Sequence, residues 1–406
     1  MRIRVISILI IICMSTSLLF SEEEWITIFI HGTIGLRANL ALSTIIKLLQ
    51  NDISNSAYKK TVELIRDDPI FYKNQPIQHR GLHPINIFDN TPGNAASLCA
   101  RLFDRVTDSA KKEKNTYYTF GWSGLISPGV RYDSARDLHT SIATLLQQYA
   151  TKSSTPKIRL VCYSHGGNAA LYLGALRDTE FPHETFIIDE MILLGVPVQK
   201  ETDYLICHQL FKKIYHIYSR HDRVQRMDFF SFKRFFSQRR FYTCSRYTLP
   251  DHLVQIEIQC YTYPRYSTEK KVQINRSPGH SELWFFGWPE HKKSSYRKHF
   301  PLHPLPIACL TPALLQVITT THPQEKNLVL ELHPHTGKTF LRTRHVFKKQ
   351  EIHCFSDNFI DELRATARQH RPSNYTAELQ KEHMHNAVQL AYESLNNVHA
   401  EIEPID

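Results

Sequence analysis

Ser164 sits where a hydroxyl can be made reactive. Ile158–Cys162 is an apolar, partly β-branched run that reads as a buried strand, and Asn168–Leu176 is an alanine- and leucine-rich helical segment. Between them, Tyr163-Ser164-His165-Gly166-Gly167 leaves room only for a tight strand-to-helix turn. A serine at the tip of such a turn projects its hydroxyl above the sheet. The peptide N–H of the next residue, His165, and the N-terminus of the helix both point toward an oxyanion formed there. Small neighbours are required because strand and helix nearly touch. The chemistry this arrangement suits is nucleophilic acyl transfer; the other reading is an ordinary loop serine. Ser123, in Gly121-Trp122-Ser123-Gly124, competes on composition. It is set aside because Pro128 and Gly129 intervene and the next helix is expected only from about Ser134.

The run Cys162-Tyr163-Ser164-His165-Gly166-Gly167 resembles the nucleophile elbow of the α/β-hydrolase superfamily, of the lipase and esterase kind. It departs from the usual G-x-S-x-G in placing Cys162 first, a residue still small enough for the turn. Three further sites follow the same resemblance. His31-Gly32-Thr33, after the apolar strand Trp25–Ile30, is similar to that family's oxyanion-hole loop, which would make the Thr33 N–H a second donor beside that of His165. A plain glycine turn would look the same. Asp222 follows the strand Ile214–Tyr218, where the superfamily places its acid. Asp189 and Asp228 are the alternatives, and a surface pair with Arg220 or Arg223 is the other reading of Asp222. His280, in Ser277-Pro278-Gly279-His280, follows Lys271–Ile274, expected as the last strand, and stands where the family has its general base. Among 23 histidines, His280 alone combines strand exit, loop and the order Ser…Asp…His. The resemblance thus implies catalytic Ser164, Asp222 and His280, an oxyanion hole from Thr33 and His165, and no cofactor. No metal is expected either, since His333/His335 and His383/His385 lack a third ligand at convergent spacing.

These residues need a scaffold of strands alternating with helices. The expected fold is α/β: an α/β-hydrolase fold with a minimal, mostly parallel six-stranded sheet at 25–30, 116–120, 158–162, 190–194, 214–218 and 271–274. Flanking helices are expected at Leu36–Gln50, from Asn94, and at Ser134–Ala150. The hydrolase domain would span 22–300, with inserts at about 51–115 and 225–262. The first insert reads as a substrate-covering cap or an ornamented connection. After a proline-rich linker (Pro301, Pro304, Pro306), residues 301–406 form a C-terminal α+β extension. It comprises a hairpin, Leu328–Leu332 with Thr339–Leu341, and helices Asp357–Gln369 and about Tyr375–Ala400. The last helix carries a stripe of Leu379, Met384, Val388, Ala391, Leu395 and Val398, expected to dock on a core.

The 406 residues, 42% hydrophobic and 22% charged, exclude wholesale disorder and leave room for one large domain with an appendage. A net charge of +10 admits an acidic partner. The absence of paired Cys/His finger spacing or an aromatic RNP strand argues against nucleic acid. Residues 1–21, with Arg2 and Arg4 before an apolar stretch, read as a signal peptide or an uncleaved anchor. The protein is therefore expected to be secreted or periplasmic, or anchored in a membrane. The 225–247 insert interleaves Phe229, Phe230, Phe232, Phe235, Phe236 and Phe241 with Lys233, Arg234, Arg239 and Arg240. It suits contact with a membrane surface, or an insert packed on the domain. Apart from Cys13 there are seven cysteines, so at least one is free; Cys162 is the candidate, and Cys244 with Cys260 could pair. The resulting expectation is a serine hydrolase of carboxylic esters, with lipid-like acyl chains favoured. A thioesterase, an amidase or a silent binding protein on the same fold are the alternatives, and the sequence is mute on oligomeric state.

Overall fold

The computed structural model describes residues 23–34, 53–68, 79–108, 113–150, 155–226, 237–261, 265–267, 270–272, 275–276, 278–288, 300–333, 337–344 and 350–400. In chain order the elements are β1 (Glu23–Ile30), α1 (Ala57–Asp67), β2 (Gly81–Pro84), α2 (Ala95–Asp108), β3 (Glu113–Gly121), α3 (Pro128–Ala150), β4 (Lys157–Tyr163), α4 (His165–Thr179), β5 (Glu190–Leu194) and β6 (Ile214–Ser219). They continue with β7 (Leu253–Tyr261), the short β8 (Arg265–Ser267), β9 (Lys270–Val272) and β10 (Asn275–Arg276), α5 (Thr311–Thr321), β11 (Asn327–Leu332), β12 (Thr339–Thr343), β13 (Glu351–Phe355), α6 (Asp357–Gln369) and α7 (Ala377–Ala400).

The apolar runs of β1, β4, β5 and β6 are buried almost end to end. That is what a parallel strand requires when helices cover both its faces. Ten strands run in the order β13-β12-β11-β7-β6-β5-β4-β1-β3-β2, and β10 adds an eleventh by pairing with β7. The strands from β3 to β11 in this order are parallel, while β2, β12 and β13 lie antiparallel at the edges. From β1 the chain crosses to the edge strand β2, steps back to β3 beside β1, then returns past β1 to β4. The loops after β1 and β4 therefore diverge at a topological switch point, where such sheets form a crevice at their carboxyl ends.

The α/β class and the mostly parallel sheet are found, but the count of six strands and the minimal sheet are not. One reason is β7, in a stretch expected as an insertion. It alternates Gln255, Glu257 and Gln259 with apolar residues, yet Glu257 is fully buried because Arg220 and Arg344 meet it at 2.7 and 2.6 Å. A second is the segment Lys271–Ile274, expected as the last core strand: Lys270–Val272 instead pairs with β8 in a separate two-stranded ribbon. The third is the tail. Its hairpin forms with Leu330 opposite Leu341, and β11 then joins β7 in parallel, so the tail extends the central sheet. The proline-rich stretch expected as a linker is core, with Leu302, Leu305 and Ile307 buried beside Trp288.

Helix α3 begins at Pro128, six residues before the expected Ser134. Proline is tolerated in the first helical turn, where its missing N–H has no partner to lose. Helix α7 docks on the cluster of Tyr58, Val62 and Ile65 in α1 through Met384, which belongs to the expected stripe, and Ala387, which does not. Phe241 is buried edge-on against His216. The seven described cysteines are free thiols, so Cys244 and Cys260, which could have paired, do not. Residues 1–21, the helix expected at Leu36–Gln50, and Phe229 to Phe236 lie outside the described residues. No described helix is long and apolar enough to cross a membrane.

Candidate active site

Ser164 alone separates β4 from α4. Its backbone has φ 51° and ψ −132°, a left-handed conformation that costs a non-glycine residue about 1–3 kcal/mol. The surroundings enforce it: the Ser164 N–H donates to Leu194 O at 2.9 Å, and the Gly167 N–H donates to Ser164 O at 3.0 Å. The elbow also presses on the end of β1. A Cβ at Gly166 would lie 2.3 Å from His31 O and 3.0 Å from Ile30 O. A Cβ at Gly32 would lie 2.7 Å from the Ser164 Cβ, so the loop after β1 runs directly across the serine.

That loop is oriented by its own histidine. His31 is buried, and burial followed by the nearby Arg66 charge pushes its pKa down to about 3. The ring is therefore neutral at ordinary pH. Its Nδ1 lies 2.7 Å from Gly32 O and must carry the proton, while Nε2 accepts from the Trp122 N–H at 3.3 Å and from Arg66 at 3.4 Å. With the Gly32 carbonyl held back toward His31, the trans peptide turns the Thr33 N–H the opposite way. Trp122 completes the clamp by donating its indole N–H to His31 O at 2.6 Å.

His280 comes from the loop after β7 and β10. Ser219 Oγ donates to Pro278 O at 2.5 Å, and Tyr163 OH donates to His280 O at 3.1 Å. The Tyr163 ring stacks on Trp284 with centroids 5.4 Å apart and lies 4.7 Å from the imidazole. The imidazole bridges two residues far away in sequence. Nδ1 is 2.6 Å from Asp222 Oδ2, and Nε2 is 2.9 Å from Ser164 Oγ. Asp222 is fully buried at the exit of β6. Its Oδ1 accepts the Gln225 N–H at 3.1 Å, and its carbonyl accepts from Arg239 Nε at 2.9 Å. A carboxylate so held can fix the imidazole tautomer, leaving Nε2 to accept the serine proton.

The structure thus brings Ser164, His280 and Asp222 into one chain of hydrogen bonds, with Gly32-Thr33 and the first residue of α4, His165, beside the serine. Asp189 lies at the far end of the sheet, bonded to the Ile158 N–H at 3.1 Å, and Asp228 is outside the described residues. Arg220 pairs with Glu257 and not with Asp222. Ser123 Oγ accepts only the Leu125 N–H, at 3.4 Å. Sequence reasoning missed the side chains of His31, Tyr163, Gln225 and Arg239. Tyr163 and His31 lay inside the motifs already singled out; the other two carry no local signal.

Burial also pushes His216 down to about 3, and burial with the Arg131 charge holds His165 well below its ordinary 6.5. For these two and His31, the unfolded chain binds protons near pH 6.5 while the folded chain does so only at much lower pH. Stability is then complete above 6.5 and lost as pH falls below it. The protein is expected to be less stable at pH 5.5 than at pH 7.5 by about 1.4 kcal/mol per histidine, roughly 4 kcal/mol in all. Urea unfolding at the two pH values reads this directly; equal stability would mean that the rings are accessible to protons in the folded state.

No family model matches the chain, and no curated protein sequence does. Among solved structures, the product of gene lin2722 from Listeria innocua matches with 13% identity over 50% of this chain and 72% of that one, at a TM-score of 0.23. A Lactobacillus plantarum WCFS1 protein described as a cell surface hydrolase matches with 13% identity over 86% of this chain and 91% of that one, also at 0.23. Likenesses at this level define no family, and the site stands on its own geometry.

Proposed function

We propose that the chain is a serine hydrolase of the α/β-hydrolase superfamily that cleaves carboxylic esters through an acyl-enzyme. The observation that carries this reading is the placement of His280 between Asp222 and Ser164 Oγ, with the serine held at φ 51°. Support comes from the run β2-β3-β1-β4-β5-β6-β7, with the acid after β6 and the histidine after β7. The Cys162 thiol is no rival nucleophile, because burial pushes its pKa far up.

In this mechanism Ser164 Oγ bonds to the acyl carbon as its proton passes to His280 Nε2. The Thr33 and His165 N–H groups stabilise the oxyanion that forms. The bond to the alcohol oxygen then breaks, and the leaving alkoxide takes the proton from Nε2. A water molecule attacks the acyl-enzyme, giving its proton to Nε2. Collapse of the second intermediate releases the acid and returns the proton to Ser164. Asp222 stays ionised throughout, holding Nδ1–H and stabilising the imidazolium. The signal-like residues 1–21 would place this activity outside the cytoplasm.

The reading is tested with p-nitrophenyl esters of increasing acyl length, beside thioester and anilide analogues. Asp222→Asn is expected to lower kcat by about 10³–10⁴ with little change in KM, because the amide favours the wrong imidazole tautomer. A wild-type protein that hydrolyses none of these substrates, or an asparagine variant as fast as wild type, would overturn it.

A further inference from the structure

Arg131 lies in the first turn of α3 and is completely buried beside the elbow. Its Nη1 donates to His165 Nδ1, on the residue that follows Ser164. The other two nitrogens, Nε and Nη2, are buried and have no hydrogen-bond partner among the described residues. The remaining buried arginines near the sheet are engaged differently. Arg159 has Glu190 at 2.6 Å, and Arg66 donates to Trp122 O and His31. Tyr58 and Tyr172 lie within the field of the Arg131 charge, but among the described residues no carboxylate takes this edge.

Burying a cation without a counter-charge is costly, and a buried donor left unpaired adds to that cost. The two orphan nitrogens are not an arbitrary pair. Nε–H and one Nη2–H run parallel along a single edge of the planar guanidinium, the edge that accepts two oxygens of a carboxylate or phosphate at once. Lysine could supply the charge there, though not the edge.

We propose that this edge of Arg131 binds an anionic group, carboxylate or phosphate, carried by the substrate next to its scissile carbonyl. The inference rests on the reading of Ser164 as nucleophile and deepens it: the preferred ester is anionic. His165 links the two functions, since on that reading its backbone N–H serves the oxyanion while its ring is held by the same guanidinium.

Two measurements test this, one of them independent of catalysis. In the first, thermal unfolding of the Ser164→Ala protein is followed with succinate, inorganic phosphate or chloride at matched ionic strength. Succinate or phosphate is expected to raise Tm above the chloride control, and Arg131→Met or Arg131→Lys in the same background is expected to remove the difference. The larger of the two shifts assigns the group as carboxylate or phosphate. In the second, kcat/KM is compared for the p-nitrophenyl monoester of succinate and the neutral butyrate ester. Wild type is expected to favour the succinate ester, and the ratio is expected to fall at least tenfold in Arg131→Lys, which keeps a positive charge should the methionine variant not fold. Equal ratios in wild type and variant, or no Tm shift with either anion, would overturn the proposal. Anion-dependent Tm shifts without turnover of any ester would leave the anion site standing and remove the hydrolase reading.

Discussion

Replacing Ser164 with alanine will abolish labelling of the protein by a fluorophosphonate probe and lower ester turnover by roughly 10⁴–10⁶-fold. The expectation follows from the two bonds on His280. An isolated serine hydroxyl does not react with such a probe at neutral pH. One whose proton can pass to an imidazole 2.9 Å away, itself tied to a buried carboxylate at 2.6 Å, does. The substitution removes one oxygen and keeps the backbone strain, so the fold should survive it. Ser164→Gly supplies a structural control. Glycine adopts φ 51° without penalty, so this variant should be equally inert yet more stable by about 1 kcal/mol or more. A folded wild-type protein that remains unlabelled even with detergent or lipid present would sink the enzyme reading and bring forward a binding role for the fold. An alanine variant that labels as well as wild type would place the reactive group elsewhere.

Gly166→Ala will damage both fold and site. The added Cβ would sit 2.3 Å from His31 O and 3.0 Å from Ile30 O. Both are backbone atoms at the end of a central strand and have no room to yield. Either the elbow or the loop carrying Thr33 must shift, at about 3 kcal/mol or more of stability. Since donors must lie within a few tenths of an ångström of the oxyanion position, the labelling rate should fall at least about 100-fold with them. Gly174→Ala, on the same helix, is the comparison: its Cβ meets only the His208 side chain, Cγ at 3.0 Å and Cβ at 3.1 Å, contacts relieved by a shift of a few tenths of an ångström, and helix propensity improves. It should change stability by no more than about 1 kcal/mol. Urea unfolding of the pair decides the point. Equal stability of the two variants would mean that the contact between β1 and the elbow does not constrain the protein.

The parts of the site that were legible in the sequence are those in which cause and effect are close along the chain. A buried strand, a cramped turn and a helix follow one another within Ile158–Leu176, so the elbow could be read from one segment. The hairpin of β11 and β12 and the helices of the tail were legible for the same reason. Strand β7 was not. Its Gln255, Glu257 and Gln259 look like the wet face of a strand, and only Arg220 and Arg344, brought from the exits of β6 and β12, make Glu257 a buried ion. Losing β7 displaced the last core strand to Lys271–Ile274 and turned the tail into an appendage. The start of α3 was hidden by a proline that a first helical turn accepts.

By itself, then, the sequence determined which residue types were available, the periodicity of each strand and helix, and the order Ser164, Asp222, His280 along the chain. The tertiary structure decided which partners those residues have. His280 meets residues 58 and 116 positions away, His31 turns the Thr33 peptide through a contact with Trp122 91 positions on, and Arg131 has one edge that no described residue pairs. The physical reason is that hydrophobic periodicity is a local property of the chain. A buried polar group is acceptable only when distant elements supply its hydrogen bonds or counter-charge, and that pairing exists only once the sheet has assembled.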